Sequence, residues 1–243
     1  QDNLDMFQIV QFPLAGQAIV MTYNLPELVN SSYRLVIDRE TLGKIWYGAI
    51  SKWNDTAIQN LNPTVGHLLP DTDIILGYSD DYIMTISGLI KMALSSFSPE
   101  FDTELKYANN TFNGMNPTKN GRGHNIGETS TVRLEWLKKT SYGLTYINYA
   151  DVYNNGTDST VPMNMYNKAG YFVEPNLVSV QAAMSDFKIF YANNNSTIDI
   201  YDAPGNKSWP LAYVNYLGCS SAFGPMADCT RTIQMTNFIA WIY

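Results

Sequence analysis

The chain has 243 residues and 45% of them are hydrophobic, which is enough to bury a sizeable core in one domain or one and a half. Its formal net charge of −7, with only 15 Lys plus Arg, argues against nucleic-acid binding, which depends on clustered cations. No apolar run approaches the roughly 18–20 residues that cross a bilayer. Gln1 starts without the basic and apolar regions of a signal peptide, so we expect any such peptide to be removed or to lie outside this sequence.

Short buried strands and amphipathic helices alternate in the first half of the chain. Apolar runs predict the strands, and apolar residues at helical spacing predict the helices. The predicted strands are residues 18–23, 35–37 and 73–77, and the predicted helices are residues 39–46, 55–61 and 82–97. Asn54 is the predicted N-cap of the second helix, and Ser79 or Asp80 that of the third.

The second half continues the alternation after an Asn/Gly-rich segment, residues 106–125, that predicts a long loop. The predicted helices are residues 127–139, 177–191 and 230–243, the predicted strands are residues 144–150 and 211–217, and residues 163–173 predict a hairpin. Strands that alternate with helices in this way indicate an α/β fold built on a sheet.

Five sequence blocks resemble, in the same order, the PstS-like phosphate-binding proteins that serve bacterial ABC transporters. The first covers residues 12–62 and includes FPLAGQAIVMTYNLPE and IDRETLGKIWYGAISKWNDTAIQNLN. The others are GRGHNIG (121–127), YGLTYINYADV (142–152), NKAGYFVEPNLVSVQAAM (167–184) and DAPGNKSWPLAYVNYL (202–217). One block alone is weak, but five blocks in the family order give the fold assignment its weight.

The resemblance implies a type 2 periplasmic-binding-protein-like α/β fold with one complete lobe and a partial second lobe. Residues 21–211 correspond to the complete lobe, and residues 1–20 and 212–243 to a remnant of the other lobe. The family's G-A-G-A-T-type loop and its second Ser-Gly loop do not occur in this sequence. We therefore expect either a fragment of a longer protein or a lobe that another polypeptide completes.

The phosphate-gripping loop of the family, roughly R-S-D-G-S-G-T, aligns with residues 78–84, which read YSDDYIM. Tyr78 takes the position of the Arg, Tyr82 that of the Ser and Met84 that of the Thr. Asp80 remains at the Asp position, and Asp81 adds a second carboxylate that would repel an anion. Family members grip phosphate with a bidentate Arg, hydroxyls and helix N-terminal amides, so most of that chemistry is missing here.

Alternatives remain open for the residues of this degenerate cleft, namely Tyr78, Ser79, Asp80, Tyr82 and Thr85. Asp80 and Asp81 could bind a cation, although helix capping is the simpler interpretation. Tyr78 and Tyr82 could line a pocket for a sugar or an apolar ligand, or pack against another protein. Ser79 and Thr85 keep their hydroxyls. Nothing in the sequence indicates a metal site, a cofactor or a catalytic set, so we do not expect an enzyme.

Two cysteines and several glycosylation sequons indicate an oxidising compartment. Cys219 and Cys229 flank a Gly/Pro/Ser-rich loop and are predicted to form a disulfide, with two free thiols as the alternative. Sequons occur at Asn30, Asn54, Asn109, Asn155, Asn194, Asn195 and Asn206, where chance would give about 3–4. We expect an extracellular, secreted or cell-surface protein with glycans on some of these sites.

Three functional classes fit these observations. The first is a non-catalytic extracellular domain with a structural, adhesive or assembly role, and it is preferred. The second is a ligand-binding or sensory domain with altered specificity. The third is a phosphate or oxyanion binder that a missing segment completes, and Tyr78 in place of the Arg argues against it. In the first class, another polypeptide is expected to cover the exposed edges of the incomplete lobe.

Overall fold

The computed structural model describes residues 9–29, 31–80, 85–155, 157, 160–187, 198–220 and 229–242, with only the backbone of residues 9, 10, 219, 220, 231 and 242. The strands are β1 (Ile9–Tyr23), β2 (Val36–Ile37), β3 (Ile75–Tyr78), β4 (Gly123–Asn125), β5 (Gly143–Asn148), β6 (Val161–Pro162), β7 (Asn164–Tyr166), β8 (Phe172–Val173) and β9 (Ala212–Ser220). The helices are α1 (Arg39–Tyr47), α2 (Thr56–Leu61), α3 (Ile86–Phe97), α4 (Pro99–Tyr107), α5 (Asn116–Lys119), α6 (Ser130–Lys139), α7 (Tyr149–Asn155), α8 (Leu177–Asp186) and α9 (Cys229–Ile242). Two short 3₁₀ helices cover Pro26–Leu28 and Gly66–Leu68.

The main sheet has the strand order β4-β3-β5-β1-β6, and β9 also pairs with β1. Strand β3 runs parallel to β4 and β5, whereas β1 runs antiparallel to β5, β6 and β9. A separate small sheet contains β2, β7 and β8. Helices cover the central strands, which are buried on both faces, as expected for a mixed α/β sheet. The structure therefore confirms the α/β fold class.

Strand β1 changes partner along its length. Its first part pairs with β9 from Ile9 to Ala18, and its last part pairs with β5 from Ile19 to Tyr23. The β9 register shifts between Pro13 and Ala15, which is consistent with a proline that has no N–H for the ladder. A single strand thus links the β1–β9 ribbon to the main sheet.

Helix α1 shows how local sequence sets the helix boundaries. The Asp38 side chain accepts a hydrogen bond from the Thr41 N–H at 2.7 Å and caps the first turn. Gly48 ends the helix with a φ of 95°, a conformation that costs a glycine little. Between these caps, Leu42 and Ile45 are fully buried. Capping and an apolar face together explain why the predicted helix is confirmed here.

Aromatic side chains form the centre of the core beside β3 and β5. The Trp46 ring lies 5.0 Å from the Phe112 ring and 5.5 Å from the Tyr146 ring, measured between centroids. Tyr78 packs on Phe112 at 5.5 Å. Each such side chain contributes about 1.5–3 kcal/mol through burial, and aromatic pairs add about 0.5–1.5 kcal/mol. This cluster connects α1, β3 and β5 with the loop around Phe112.

Several sequence predictions of local structure need correction. Asp55, not Asn54, caps α2, because its side chain accepts from the Ala57 N–H at 2.9 Å. Neither Ser79 nor Asp80 caps α3, whose N-cap is Thr85. The segment 106–125 is not a single loop, since it contains α5 and β4.

Three further elements can be compared with the sequence predictions. Helix α4 starts with Ser98 as cap and a Pro at its first position, a strong start signal. Residues 149 and 150, predicted as strand, begin α7 instead. The predicted hairpin is confirmed as the antiparallel pair β7–β8.

Among the described residues, no helix combines the length and apolarity that a membrane span requires.

Candidate functional site

Tyr78, which replaces the Arg of the family loop, lies in the protein core. It is the last residue of β3 and only 2% exposed. Its ring packs on Phe112, its hydroxyl donates to Asn113 Oδ1 at 3.4 Å, and burial raises the pKa of this hydroxyl. This burial agrees with neither alternative for Tyr78, the lining of an accessible pocket or packing against another protein.

Asp80 holds the neighbouring loop. Its Oδ1 accepts the backbone N–H of Phe112 at 2.6 Å, and its Oδ2 accepts that of Asn113 at 2.8 Å. Lys91 from α3 lies 3.1 Å from Oδ1, and both side chains are mostly buried, with 12% and 14% exposure. The Lys91 ammonium also lies 5.1 Å from the centre of the Phe112 ring. The protein itself thus supplies three donors to this carboxylate.

The other residues of the degenerate cleft differ in their burial and in whether the structure describes them. Ser79 is fully buried, and its N–H donates to the Tyr146 hydroxyl at 3.2 Å. Thr85 is half-buried at the start of α3. Tyr82, with Asp81 and Met84, lies outside the described residues. Within the described residues, Ser79 and Asp80 lie at the end of β3 and are bonded to groups of the protein itself, and they do not line an open anion site.

Arg133 of α6, which the sequence analysis did not single out, lies fully buried beside the start of α3. One Nη donates to Ser87 Oγ at 3.2 Å and to the Tyr146 hydroxyl at 3.4 Å. The other donates to Thr145 Oγ1 at 3.5 Å, and Nε donates to the Glu128 carbonyl at 3.3 Å. The acceptors found for this guanidinium are thus three side-chain hydroxyls and one backbone carbonyl.

The surroundings of Arg133 explain how a buried cation persists there. Its guanidinium stacks over the Tyr146 ring at 4.1 Å, which offers the negative face of an aromatic π-system. The start of α3 carries the positive end of a helix dipole, which makes the position less favourable for a cation. Neutral hydroxyl and carbonyl acceptors and the Tyr146 ring therefore compensate the charge. A helical Arg at an otherwise apolar face was the only sequence signal for it.

The GRGHNIG segment is a turn and an edge strand. Arg122 is 8% exposed, burial lowers the pKa of its guanidinium, and Nη1 donates to the Ile74 carbonyl at 3.3 Å. His124 is exposed on β4. Gly121 and Gly127 have φ values of 74° and 92°, so glycine is required at both turns. The two glycines thus serve tight turns, and the Arg122 guanidinium contacts the backbone of the protein itself.

Metal and cysteine chemistry can be assessed for the described residues only. Within them, no group of three or more His, Cys, Asp or Glu side chains could hold a metal ion. Cys229 opens α9 as an exposed free cysteine, and the Cys219 side chain lies outside the description. The structure does not contain the Cys219–Cys229 disulfide, and pairing in oxidised protein stays a prediction.

The sequons fall into three groups. Asn30, Asn194 and Asn195 lie outside the described residues. Asn109, Asn155 and Asn206 are exposed, and Asn54 is half-buried. Glycosylation at any of them stays a prediction.

Sequence comparisons relate this chain to a mimivirus protein and to phosphate-binding proteins. The chain matches no family model. It is 55% identical over 239 residues to R831 of Acanthamoeba polyphaga mimivirus, which carries the provisional name serine/threonine-protein kinase/receptor; the match covers 98% of this chain and 15% of that protein. It is also 30% identical over 214 residues to the phosphate-binding protein PstS of Haemophilus influenzae, a match that covers 88% of this chain and 59% of that one.

The comparison of structures agrees with the sequence comparison. The crystal structure of a phosphate-binding protein from Stenotrophomonas maltophilia superposes with a TM-score of 0.64 at 18% identity, covering 97% of this chain and 61% of that one. The chain thus spans about 15% of the mimivirus relative and about 60% of the PstS-type relatives. The ordered sequence blocks, the identity to PstS and the shared fold together show that the chain is PstS-like, related to the phosphate-binding proteins over about 60% of their length.

Proposed function

We propose that the chain is a non-catalytic extracellular module of a larger protein, with an assembly or adhesive role, in which the family's anion site has become part of the core. The observation that carries this proposal is the pair Tyr78 and Asp80. Tyr78 is buried where the family has its Arg, and Asp80 accepts hydrogen bonds from the protein's own Phe112 and Asn113 amides. A bound phosphate would need these donors for itself.

Electrostatics support a loss of phosphate binding. The buried Arg133 is engaged by hydroxyls and by the Tyr146 ring, and it has no exposed surface. Lys91 is already paired with Asp80. Losing a charged partner in a binding site typically costs about 2–5 kcal/mol, which weakens affinity by roughly 30-fold to several thousand-fold.

An assembly role is supported by the surface around the β1–β9 ribbon and α9. Leu14 in the ribbon is 45% exposed, and α9 exposes Ile233, Phe238 and Trp241 at 58%, 51% and 81%. Among the described strands, β9 pairs with β1 alone, so its other edge has no described strand partner. Unpaired edges and exposed apolar patches favour contact with another polypeptide. We propose that a neighbouring subunit or another segment of the same precursor covers this surface.

An extracellular location is supported by the sequons that lie on the surface. Asn109, Asn155 and Asn206 are exposed, so a glycan at each would project into water. If the source is eukaryotic or infects a eukaryote, we expect at least two sequons to carry glycans in native material. Peptide mass mapping before and after enzymatic deglycosylation tests this, and unmodified peptides at all seven sites would contradict it.

A second candidate is a ligand-binding or sensory domain, and the name of the mimivirus relative favours it. The 243 residues contain none of the kinase signatures His-Arg-Asp, Asp-Phe-Gly or Ala-Pro-Glu. In a kinase/receptor, this chain would therefore serve in recognition, and the phosphoryl transfer would belong to other segments. A small molecule that copurifies with the chain, detected by native mass spectrometry, would favour this candidate.

The assembly proposal is tested by measuring self-association and binding to flanking segments. Light scattering should show concentration-dependent association of the isolated chain, or a complex with the adjoining segment of its own precursor. The double variant Phe238→Ser and Trp241→Ser should reduce either interaction. Tyr107→Ser is the matched control, because Tyr107 is 81% exposed on α4. A chain that stays monomeric at high concentration and ignores the adjoining segment would contradict the proposal.

A further inference from the structure

A cavity of about 360 Å³ lies between the middle of β1, the end of β5, α7 and the start of α8. Its size falls in the range of small-ligand sites, roughly 300–1,000 Å³. The wall is built by Gly16, Gln17, Ala18, Asn148, Tyr149, Ala150, Tyr153, Asn154, Asn176, Leu177 and Val180. No Lys, Arg, His, Asp or Glu is among these lining residues. The cavity is therefore chemically distinct from an anion site.

Besides the hydroxyls of Tyr149 and Tyr153, four amide side chains line this cavity: Gln17, Asn148, Asn154 and Asn176. The Tyr213 hydroxyl oxygen lies 2.5 Å from Gln17 Oε1 and 2.8 Å from Asn148 Oδ1. Because a hydroxyl has one proton, it can donate to only one of the two, and the other amide must turn its NH₂ toward the hydroxyl oxygen. One amide then keeps a donor and the other keeps an acceptor for a ligand.

The remaining two amides offer further hydrogen-bonding groups to a ligand. Asn176 uses Oδ1 to accept the Ser179 N–H at 2.9 Å, and its NH₂ has no partner among the described residues. Asn154 is exposed, and its side chain makes no hydrogen bond within the described part of the chain. Each amide side chain can both donate and accept hydrogen bonds, and so can each hydroxyl of a diol. Neighbouring amides without charges therefore match neighbouring hydroxyls on a ligand.

Two tyrosine rings supply the apolar part of the wall. The rings of Tyr149 and Tyr153 lie 6.2 Å apart between centroids, and Tyr153 is 78% exposed at the rim. Leu177, 71% exposed, is a further apolar residue of the lining. A ring with an apolar face and a hydroxylated edge fits between such surfaces. Rigid aromatic side chains of this kind gain contact area at a low cost in conformational entropy.

From this arrangement we infer that the cavity bounded by β1, α7 and α8 binds a neutral, polyhydroxylated ligand, namely an uncharged sugar unit of a glycan. The amides pair with its hydroxyls and the tyrosines contact its apolar face. The inference does not depend on the assembly role proposed above, because Leu14, Ile233, Phe238 and Trp241, whose exposure supports that role, are not among the residues that line the cavity.

An adjoining cavity of about 650 Å³ provides an internal comparison. It shares Tyr149 and Tyr153 with the first cavity, but it also contains Arg34 together with Ser31 and Ser32. An acidic sugar would be drawn to Arg34, whereas a neutral sugar has no such preference. Arg34→Ala therefore separates the two cavities in an experiment.

The test is binding of the purified chain to a glycan array that carries neutral, sialylated and sulfated glycans, followed by calorimetry with the best neutral oligosaccharide. We expect neutral glycans to be bound, with an affinity that falls at least about tenfold in Tyr153→Ala and about threefold or more in Asn154→Ala. Tyr107→Ala and Arg34→Ala should stay within about twofold of the parent chain.

Three outcomes would overturn the inference. These are no bound glycan on the array, binding restricted to charged glycans, and an affinity that Tyr153→Ala leaves unchanged. Folding of each variant is checked by its thermal transition, and both Tyr153 and Asn154 are exposed, so their truncation should leave the fold intact.

Discussion

The guanidinium of Arg133 lies 4.1 Å from the centre of the Tyr146 ring, and both side chains are fully buried. This pair joins α6 to β5 close to the residues that grip phosphate in the family. The hydroxyl of Tyr146 also donates to Ser87 Oγ at 2.7 Å, which ties the pair to α3. The cation thus serves to hold three elements together.

Two substitutions of Arg133 should have different effects on the free energy of unfolding. Arg133→Met keeps most of the volume and removes a buried charge, and the Thr145 and Tyr146 hydroxyls keep acceptors in the Gly77 carbonyl and Ser87. We expect Arg133→Met to stay within about 1 kcal/mol of the parent and Arg133→Ala to lose about 2–4 kcal/mol through its cavity. Urea unfolding measures both. Equal losses in the two variants would show that the charge, not the volume, is what the site requires.

Removing the Asp80 carboxylate should destabilise the fold. Asp80→Ala loses two hydrogen bonds from backbone amides and leaves the mostly buried Lys91 without its anion. We expect a loss of about 2–4 kcal/mol in the free energy of unfolding. Asp71→Ala is the matched control, because Asp71 is 68% exposed in its ion pair with Lys52 and should cost less than about 1 kcal/mol. Similar costs for the two variants would contradict a structural role for Asp80.

Phosphate should not bind to the chain with appreciable affinity. Tyr78 lacks the charge of the family's Arg, and Asp80 already accepts three donors from the protein. Calorimetric titration of phosphate should show no binding in the micromolar range, while PstS of Haemophilus influenzae in the same buffer serves as the positive control. A micromolar or tighter dissociation constant for this chain would be incompatible with the proposed function.

The stability of the protein should fall at alkaline pH because of buried tyrosines. Burial raises the pKa of Tyr23 to about 12, and its hydroxyl accepts the Leu35 N–H at 3.2 Å. The folded pKa exceeds the ordinary value of about 10, so the folded protein holds this proton more tightly than the unfolded chain. The contribution is complete below pH 10 and is lost as the pH rises through about 12, a change of about 2–3 kcal/mol.

Tyr23→Phe isolates this effect. The variant should lose less stability than the parent between pH 10 and about 12, although it starts about 1 kcal/mol lower because the Leu35 N–H loses its acceptor. Tyr107→Phe, at an 81% exposed position, should follow the parent curve. Urea unfolding at several pH values provides the comparison. Parallel curves for Tyr23→Phe and the parent would refute the assignment.

Oxidised protein should contain the Cys219–Cys229 disulfide. Cys229 is exposed at the start of α9 and Cys219 lies near the end of β9, ten positions apart in the sequence. The bond should add roughly 2–3 kcal/mol by restricting the unfolded chain. Mass spectrometry after alkylation, with and without prior reduction, counts the free thiols. Two thiols that alkylate without reduction would exclude the bond.

The sequence by itself determined the fold class and most helices and strands, because caps, turn glycines and apolar periodicity are local signals. Asp38 and Gly48 around α1 are examples, and the ordered family blocks gave the relationship to PstS. Helix α4 was missed even though Ser98 and Pro99 mark its start, because the charged residues of a surface helix show weak periodicity.

Only the tertiary structure decided what the degenerate cleft has become. The sequence shows that Tyr78 and Asp80 replace or retain family residues, but not that Tyr78 packs on Phe112 or that Asp80 accepts the amides of residues more than thirty positions away. Arg133 could not be recognised, because its acceptors come from α3 and β5. Such contacts depend on which elements meet in space, and composition and spacing along one chain carry little information about long-range packing.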